Sequence, residues 1–436
     1  MTRPRRRTLL LISQVYVPDP ASVGQHLHDV AAEMARRGWR VVVLASARGY
    51  NDPSVRYPAR EVRDGVEIRR LPLSSLGKRT ILHRVVAQLA FLMQATVHGL
   101  LVRRLGSVLV STSPPMCSAI GWLISTVRRA PMVYWAMDLN PDQMVEMGWI
   151  SPKSPIVRLF EFFNRRVLNR AAAVVTLDRF MAERLERKTD LAGKLTIQPP
   201  WPHESALETV AHDENPFRKQ HELDGKFVFM YSGNHSVCTP LKTILEAALR
   251  MQDDDGIRFM FIGAGTGKAE VDDLIAERKP RNIISLPYQP MSGIRYSLSA
   301  ADVHLVVVGP QEVGVRHPCK VYGAMALGRP VLLIAPDPCH ASDLVAEGIG
   351  WHIQHGDVDG AEALCRRIAQ ADPAELAAMG DLARRLVQQR LTQPALCGEF
   401  CDIIESAAGG AIAEAAAAGP PTPSATPPTA AAAQER

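Results

Sequence analysis

Arg316, His317 and Lys320 crowd into one segment, GVRHPCKVYGAMALGRPVLL (314–333). Three nitrogen-bearing side chains just before an expected helix, whose opening amides add positive potential, make a concentrated cationic pocket. At a strand end such a pocket suits a diphosphate; a solvated basic cluster is the plainer alternative. The small residues of AMALG allow close helix packing, and Gly328 ends the helix before the next apolar run. A carboxylate follows an apolar strand much earlier, at Asp138 in YWAMDLNPD (134–142). A carboxylate there can accept a proton from a hydroxyl or orient a sugar, or it can fix the turn before Asn140-Pro141.

Glycine loops are the second signal. Gly24, in VYVPDPASVGQ, stands where a first helix begins, and a helix start with no Cβ in the way favours an anion. A turn glycine is the plainer alternative, and the loop is not a G-x-G-x-x-G fingerprint. Gly233 and Asn234 in YSGNHS (231–236) suit a tight turn facing a cleft. Gly263 opens FIGAGTGK (261–268), which resembles a phosphate loop. Gly263 to Gly267 is one residue short, however, and Ala269 follows Lys268, so a P-loop nucleotidase is excluded. We find no Ser-His-Asp arrangement and no metal-ligand spacing.

These residues need strands and helices to position them. TLLLISQV is a continuous apolar run, GQHLHDVAAEMARRGW has helical spacing at Leu27, Val30, Ala31 and Met34, and RVVVLAS is a second buried strand. Two buried strands joined by a helix imply a parallel sheet. Similar runs recur at 107–112, 131–137 and 172–177. A Pro- and His-containing stretch interrupts them, and the rhythm restarts at 226–234, 258–265, 282–288, 302–308 and 329–335. The expectation is therefore an α/β chain of two facing β/α domains. An N-terminal domain spans 1–200, a linker 201–222 and a C-terminal domain 223–394. A helix at 395–408 returns to the first domain, and an Ala/Pro-rich disordered tail fills 409–436.

Composition sets the outer limits. The 436 residues are 47% apolar and 22% charged, a folded profile. No 18-residue stretch lacks a charge or strong polar group, so a membrane-spanning helix is not expected. The opening apolar run reads as a buried strand, not a signal peptide. Seven cysteines without framework spacing suggest reduced thiols and a cytoplasmic setting. Residues 1–110 hold 18 Arg/Lys against 7 Asp/Glu, a net +11 in a chain whose total is +5. This basic half either meets an anionic partner, nucleic acid or a phospholipid surface, or is simply a solvated basic face. Basic residues are not interleaved with aromatics in a recognisable module, so nucleic acid is set aside.

Residues 81–101, ILHRVVAQLAFLMQATVHGLL, split on a helical wheel. Leu89, Met93 and Val97 share an apolar face, while Ala87, Ala95 and Gly99 lie on the other with Phe91 in its middle. With Lys78, Arg79, Arg103 and Arg104 as flanks, residues 78–104 could meet a membrane surface. The alternative is a helix packed on the sheet.

With these residues in hand, the chain resembles family 4 glycosyltransferases of the GT-B fold. It is most similar to the branch that builds bacterial exopolysaccharide, colanic acid and O-antigen. The resemblance covers roughly residues 8–405. It rests on the joint order of SQVYVPDPASVGQHLHDVAAEMARRGWRVVVLAS, YWAMDLNPD, YSGNHS, FIGAGTGK, LPYQPMSGIRYSLSAADVHLV and HPCKVYGAMALGRPV. It implies two Rossmann-like domains and a retaining, metal-independent transfer without a cofactor. The donor is then a UDP- or GDP-sugar, and the acceptor a lipid-linked saccharide in lipopolysaccharide or related assembly. The enzyme would be cytoplasmic and peripheral to the inner membrane. Lys320 and then Arg316 match the diphosphate position, Gly24 the glycine loop near the phosphates, and Asp138 a cleft acidic position. Two departures stand out. Gly323 and Val315 occupy the places of a glutamate pair common in relatives, the second of which binds ribose. Asn234 and Thr239 replace an Arg and a Lys after the first strand of the second domain. Neutralisation of the diphosphate then rests on Lys320 and Arg316. A nucleotide-sugar 2-epimerase on the same fold and a non-catalytic membrane-associated subunit remain as alternatives.

Overall fold

The computed structural model describes residues 7–19, 21–49, 52–73, 81–203 and 208–409. The tail beyond 409, Lys78 and Arg79 lie outside these residues.

The first lobe is built on an eight-stranded sheet in the order β3-β4-β2-β1-β5-β6-β7-β8. Its strands are β1 (Thr8–Ile12), β2 (Arg40–Ser46), β3 (Arg60–Arg63), β4 (Val66–Leu71), β5 (Leu105–Val110), β6 (Met132–Ala136), β7 (Ala173–Thr176) and β8 (Leu195–Ile197). All pair in parallel except the β3/β4 hairpin. β1 and β2 are nearly continuous Leu, Ile and Val because both sheet faces carry helices. Those helices are α1 (Ser22–Arg36), α2 (Ile81–Leu100), α3 (Cys117–Arg128), α4 (Asp142–Glu146), α5 (Pro155–Arg170) and α6 (Arg179–Glu186). The hairpin shows no continuous apolar run because REVR and VEIRRL mix charged with apolar residues at the sheet's edge. Its Asp64-Gly65 turn was the readable signal.

The second lobe has strands β9 (Phe227–Ser232), β10 (Ile257–Ile262), β11 (Ile283–Leu286), β12 (Val303–Val307), β13 (Val331–Ile334) and β14 (Gly350–Ile353). The sheet order is β11-β10-β9-β12-β13-β14, all parallel. Counted within the lobe this is 3-2-1-4-5-6, with a switch point between β9 and β12 where the loops leaving both strands part and leave a crevice. The helices are α7 (Pro216–Gln220), α8 (Lys242–Arg250), α9 (Lys268–Arg278), α10 (Ile294–Ser299), α11 (Lys320–Ala326), α12 (His340–Leu344), α13 (Val358–Ala369), α14 (Pro373–Arg390) and α15 (Gln393–Ala407).

α15 packs against α1 in the first lobe. Arg37 binds Asp402 and Glu405, and Trp39 Nε1 donates to Glu405 at 3.1 Å. The Phe400 ring lies 4.2 Å from that of Trp135, which in turn faces Trp201 at 6.1 Å. Trp201 is fully buried, so the chain between the lobes enters the first lobe's core instead of running free. Burial of aromatic area on this scale is a large favourable contribution.

Helix α2 packs through the small-residue face of its wheel. Its inner face is Ala87, Phe91, Ala95 and Gly99, with Phe91 0% exposed, while Met93 on the other face is 66% exposed. A Cβ on Gly99 would sit 2.5 Å from Ile124 Cδ1, so small residues are what let α2 approach α3 and the sheet. Phe91, which broke the wheel's polar face, is the residue that fills the core there. The apolar face of the wheel looks outward. Among the described residues no helix is long and apolar enough to cross a membrane.

Candidate functional site

The switch point of the second sheet gathers the charged residues. β9 ends in Ser232, and the chain turns at Gly233, where a Cβ would meet Lys320 Cε at 2.8 Å. The loop after β10 nests onto this turn. Gly263 has φ +137°, and a Cβ there would lie 1.9 Å from the Gly233 carbonyl oxygen, so only glycine fits. His235 N donates to Ala264 O, and Gly267 N to His235 O, both at 2.9 Å. Two loops from adjacent strands are thus locked into one wall.

Lys320 is the first residue of α11 and reaches across this wall. Its Nζ contacts the Tyr231 hydroxyl, donates to Asn234 O at 2.9 Å and lies 4.0 Å from the centre of the Tyr231 ring. It forms no ion pair among the described residues. Burial pushes its pKa down to about 7, against a partial rescue by Glu312. Burial, with the nearby Lys320 charge, also lowers His235 to about 4.

Arg316 behaves differently. Its guanidinium binds Glu312 Oε1 at 2.9 Å and faces Asp138 Oδ1 at 3.7 Å, so two carboxylates share it. Glu312 ends a short turn of 3₁₀ helix after β12, and its other oxygen accepts from Gly309 N at 3.1 Å. Burial raises the Glu312 pKa and Arg316 opposes that rise; the same two causes act on Asp138. Asp138 follows β6 in the first lobe, so this ion pair crosses between lobes. Asp138 and Arg316 also form a backbone bridge, and Leu139 N donates to Val315 O at 3.0 Å.

His317 leaves the cationic cluster. Its Nδ1 donates to Asp178 of the first lobe at 2.7 Å, and both side chains are almost wholly buried. Its Nε2 is 2.8 Å from the Tyr322 hydroxyl, which lies 2.7 Å from His340 Nε2. The expected trio is therefore split: Lys320 and Arg316 border the cleft, while His317 ties the lobes together. Asp178 also caps α6 by accepting from Met181 N at 2.8 Å.

Two adjoining hollows lie between the lobes. One of about 350 Å³ is lined by Ser22, Gln25 and His203 from one side and Gly233, Tyr288, Lys320 and Gly323 from the other. The second, about 300 Å³, is bordered by Asn234, Thr239, Glu312, Arg316 and Lys320. Lys320 borders both. Gly24 borders neither: a Cβ there would meet the Tyr16 backbone at 3.0 Å, so its bareness lets α1 close on its own lobe. Its neighbours Ser22 and Gln25 are the ones that face the gap. Sequence reading missed Glu312, because it counted back from Gly323 at a fixed interval to Val315. A carboxylate four residues before Arg316 was the available sign. No group of three His, Cys, Asp or Glu side chains among the described residues is arranged to hold a metal ion.

Residues 22–201 match the glycosyl transferase 4-like domain. The probable glycosyltransferase WbjE of Pseudomonas aeruginosa is 24% identical over 388 residues, 88% of this chain and 94% of that protein. The putative colanic acid biosynthesis glycosyl transferase WcaI of Escherichia coli K12 is 25% identical over 333 residues, 73% of this chain and 81% of that one. Among solved structures, Anabaena HepE in complex with UDP-glucose superposes with a TM-score of 0.67 at 14% identity, over 92% of this chain and 99% of HepE. The matched domain and these relatives make the chain similar to glycosyltransferases, and its two Rossmann-like lobes joined across a cleft have the GT-B fold.

Proposed function

We propose that this glycosyltransferase moves a sugar, with retention of configuration and without a metal, from a UDP- or GDP-sugar to a lipid-linked saccharide at the inner membrane face. The product would feed a cell-surface polysaccharide. The observation that carries this reading is the Lys320 ammonium, half-buried at the switch point with a hydroxyl, a carbonyl and an aromatic ring around it but no ion-pair partner among the described residues. A cation in that setting gains most when an anion arrives. The name of WbjE supports glycosyl transfer, that of WcaI supports colanic acid biosynthesis, and HepE was solved with UDP-glucose.

In this reading the bond from the sugar's anomeric carbon to the diphosphate oxygen breaks, and an acceptor hydroxyl oxygen bonds to the same face. The hydroxyl proton leaves with the diphosphate. Lys320 and Arg316 stabilise the charge that develops on the leaving oxygen, a contribution that grows in a water-poor cleft. The main chain at Gly233, Asn234 and Gly263 shapes the wall behind the phosphates. Asp138, opposite them, orients the sugar or acceptor. Thermal shift with UDP, GDP and dTDP identifies the base, since a ligand that binds only the folded chain raises its stability. Radiolabelled transfer by Lys320→Ala tests the mechanism. Unchanged turnover at saturating donor removes Lys320 from its role.

A further inference from the structure

We propose that α2, α3 and α5 together form a membrane-facing surface that lies on an anionic bilayer, a wider and differently oriented contact than a single amphipathic helix. This deepens the lipid-linked-acceptor reading above by naming the face that meets the lipid. Leu89, Met93 and Val97 line the outer side of α2, and Val127 extends the exposed patch onto α3, with Leu159 and Phe162 on α5. The three helices are one slab: Gly99 of α2 seats on Ile124 of α3, and the Trp122 ring of α3 lies 6.1 Å from Phe163 of α5. The fold buries the small-residue side of α2 and leaves its large apolar residues in water, which a chain that stayed in water would have no reason to do.

Charge selects the occupant. The sequences of the three helices contain one acidic residue, Glu161, and it is bound to Lys188. Arg103, Arg104, Arg129, Arg158, Arg165 and Arg166 are exposed around the patch and form no ion pair among the described residues. Arg166 rests 5.0 Å from the Phe162 ring centre, holding a cation at the rim of the apolar area. A second copy meeting this face about a two-fold axis would set arginines against arginines. Anionic headgroups over an acyl layer match both the arginines and the apolar stripe. α5 also reaches the cleft, since Asn164 Nδ2 donates to Asn140 O at 2.7 Å beside Asp138. A surface anchored through α5 therefore holds the acceptor side of the gap close to the lipid.

The test is sedimentation of the full chain with phosphatidylglycerol/phosphatidylethanolamine vesicles and with phosphatidylcholine vesicles. The unmodified chain should sediment with the first and, at the same lipid concentration, at least tenfold less with the second. The variant Leu89→Ser/Met93→Ser/Val97→Ser should lose at least tenfold in vesicle affinity, and Arg165→Glu/Arg166→Glu a similar amount. Both should keep the parent's thermal midpoint and UDP affinity, because neither set touches the core or the cleft. Vesicle binding unchanged in the serine variant overturns the proposal. So does an unmodified chain with no preference for anionic vesicles, or a dimer in sedimentation equilibrium that the serine variant dissolves. An unmodified chain that binds neither UDP nor GDP, with vesicle binding intact, would instead overturn the donor reading alone.

Discussion

In the second lobe Glu312, Arg316 and Lys320 gather at the carboxyl ends of β9 and β12. In the first lobe the comparable concentration is apolar, on the outer side of α2, where Leu89, Met93 and Val97 stand in water. Both lobes follow one β/α rule, with buried strands and covering helices. They differ in where each spends its unusual residues. The second lobe places charge on loops at the switch point, where strand order opens a gap without any cost to the core. The first places apolar residues on the outside of α2, whose inner face is Ala and Gly around the single large side chain of Phe91. A fold can thus carry two recognition surfaces without either compromising packing, provided one is made of loops and the other of outward helix faces.

The largest expected effect separates the two faces of α2. Phe91→Ala should cost about 4 kcal/mol in chemical denaturation, by loss of a fully buried ring, whereas Met93→Ala should change stability by less than ~0.5 kcal/mol. Equal costs would break the assignment of inner and outer faces. Next comes the charge in the second lobe: Lys320→Ala should lower turnover roughly 100-fold without lowering the thermal midpoint, because it removes a group whose charged form the fold disfavours.

A third expectation uses proton linkage at the same residue. Lys320 titrates at about 7 in the folded chain against an ordinary value of 10.5. Between those values only the unfolded chain holds the proton, so this group makes stability rise with pH there. A diphosphate favours the charged form, so UDP affinity should fall about tenfold for a rise of one pH unit above 8. Calorimetry in buffers of different ionisation enthalpy should record proton uptake on binding. A flat profile would remove Lys320 from the diphosphate. The smallest effect concerns the seam between lobes. A double-mutant cycle on Asp138→Asn and Arg316→Gln, read by denaturation of the unliganded chain, should give a coupling of about 0.5–1 kcal/mol, because the 3.7 Å pair is part-exposed.

Much of this was legible in residue order. The runs at β1, β2, β5, β6, β7 and β9 to β13 are apolar because buried parallel strands have no wet face, and that pattern survives in one dimension. The orientation of α2 was not legible in the same way. A wheel ranks faces by hydrophobicity, whereas the fold chose the face that could approach closest, and Gly99 against Ile124 is a property of two segments. Only Phe91, out of place on the wheel, hinted at it. In the site, Lys320 and Arg316 could be found from spacing. Of the partners that distinguish them, Tyr231 comes from another strand and Asp138 from the other lobe, while Glu312 stands only four residues before Arg316. His317 could not be told from its neighbours until Asp178 was seen opposite it.

The guanidinium of Arg316 already has two resident anions, and that has a kinetic meaning. In the proposed transfer an arriving pyrophosphate would compete with them for the guanidinium, and they would replace a departing one as it loosens. Such a site would exchange counter-ions instead of trapping one, which would keep a spent nucleoside diphosphate from lingering. Glu312 and Asp138 would then serve turnover by competing with the very product that Lys320 helps to release from the sugar.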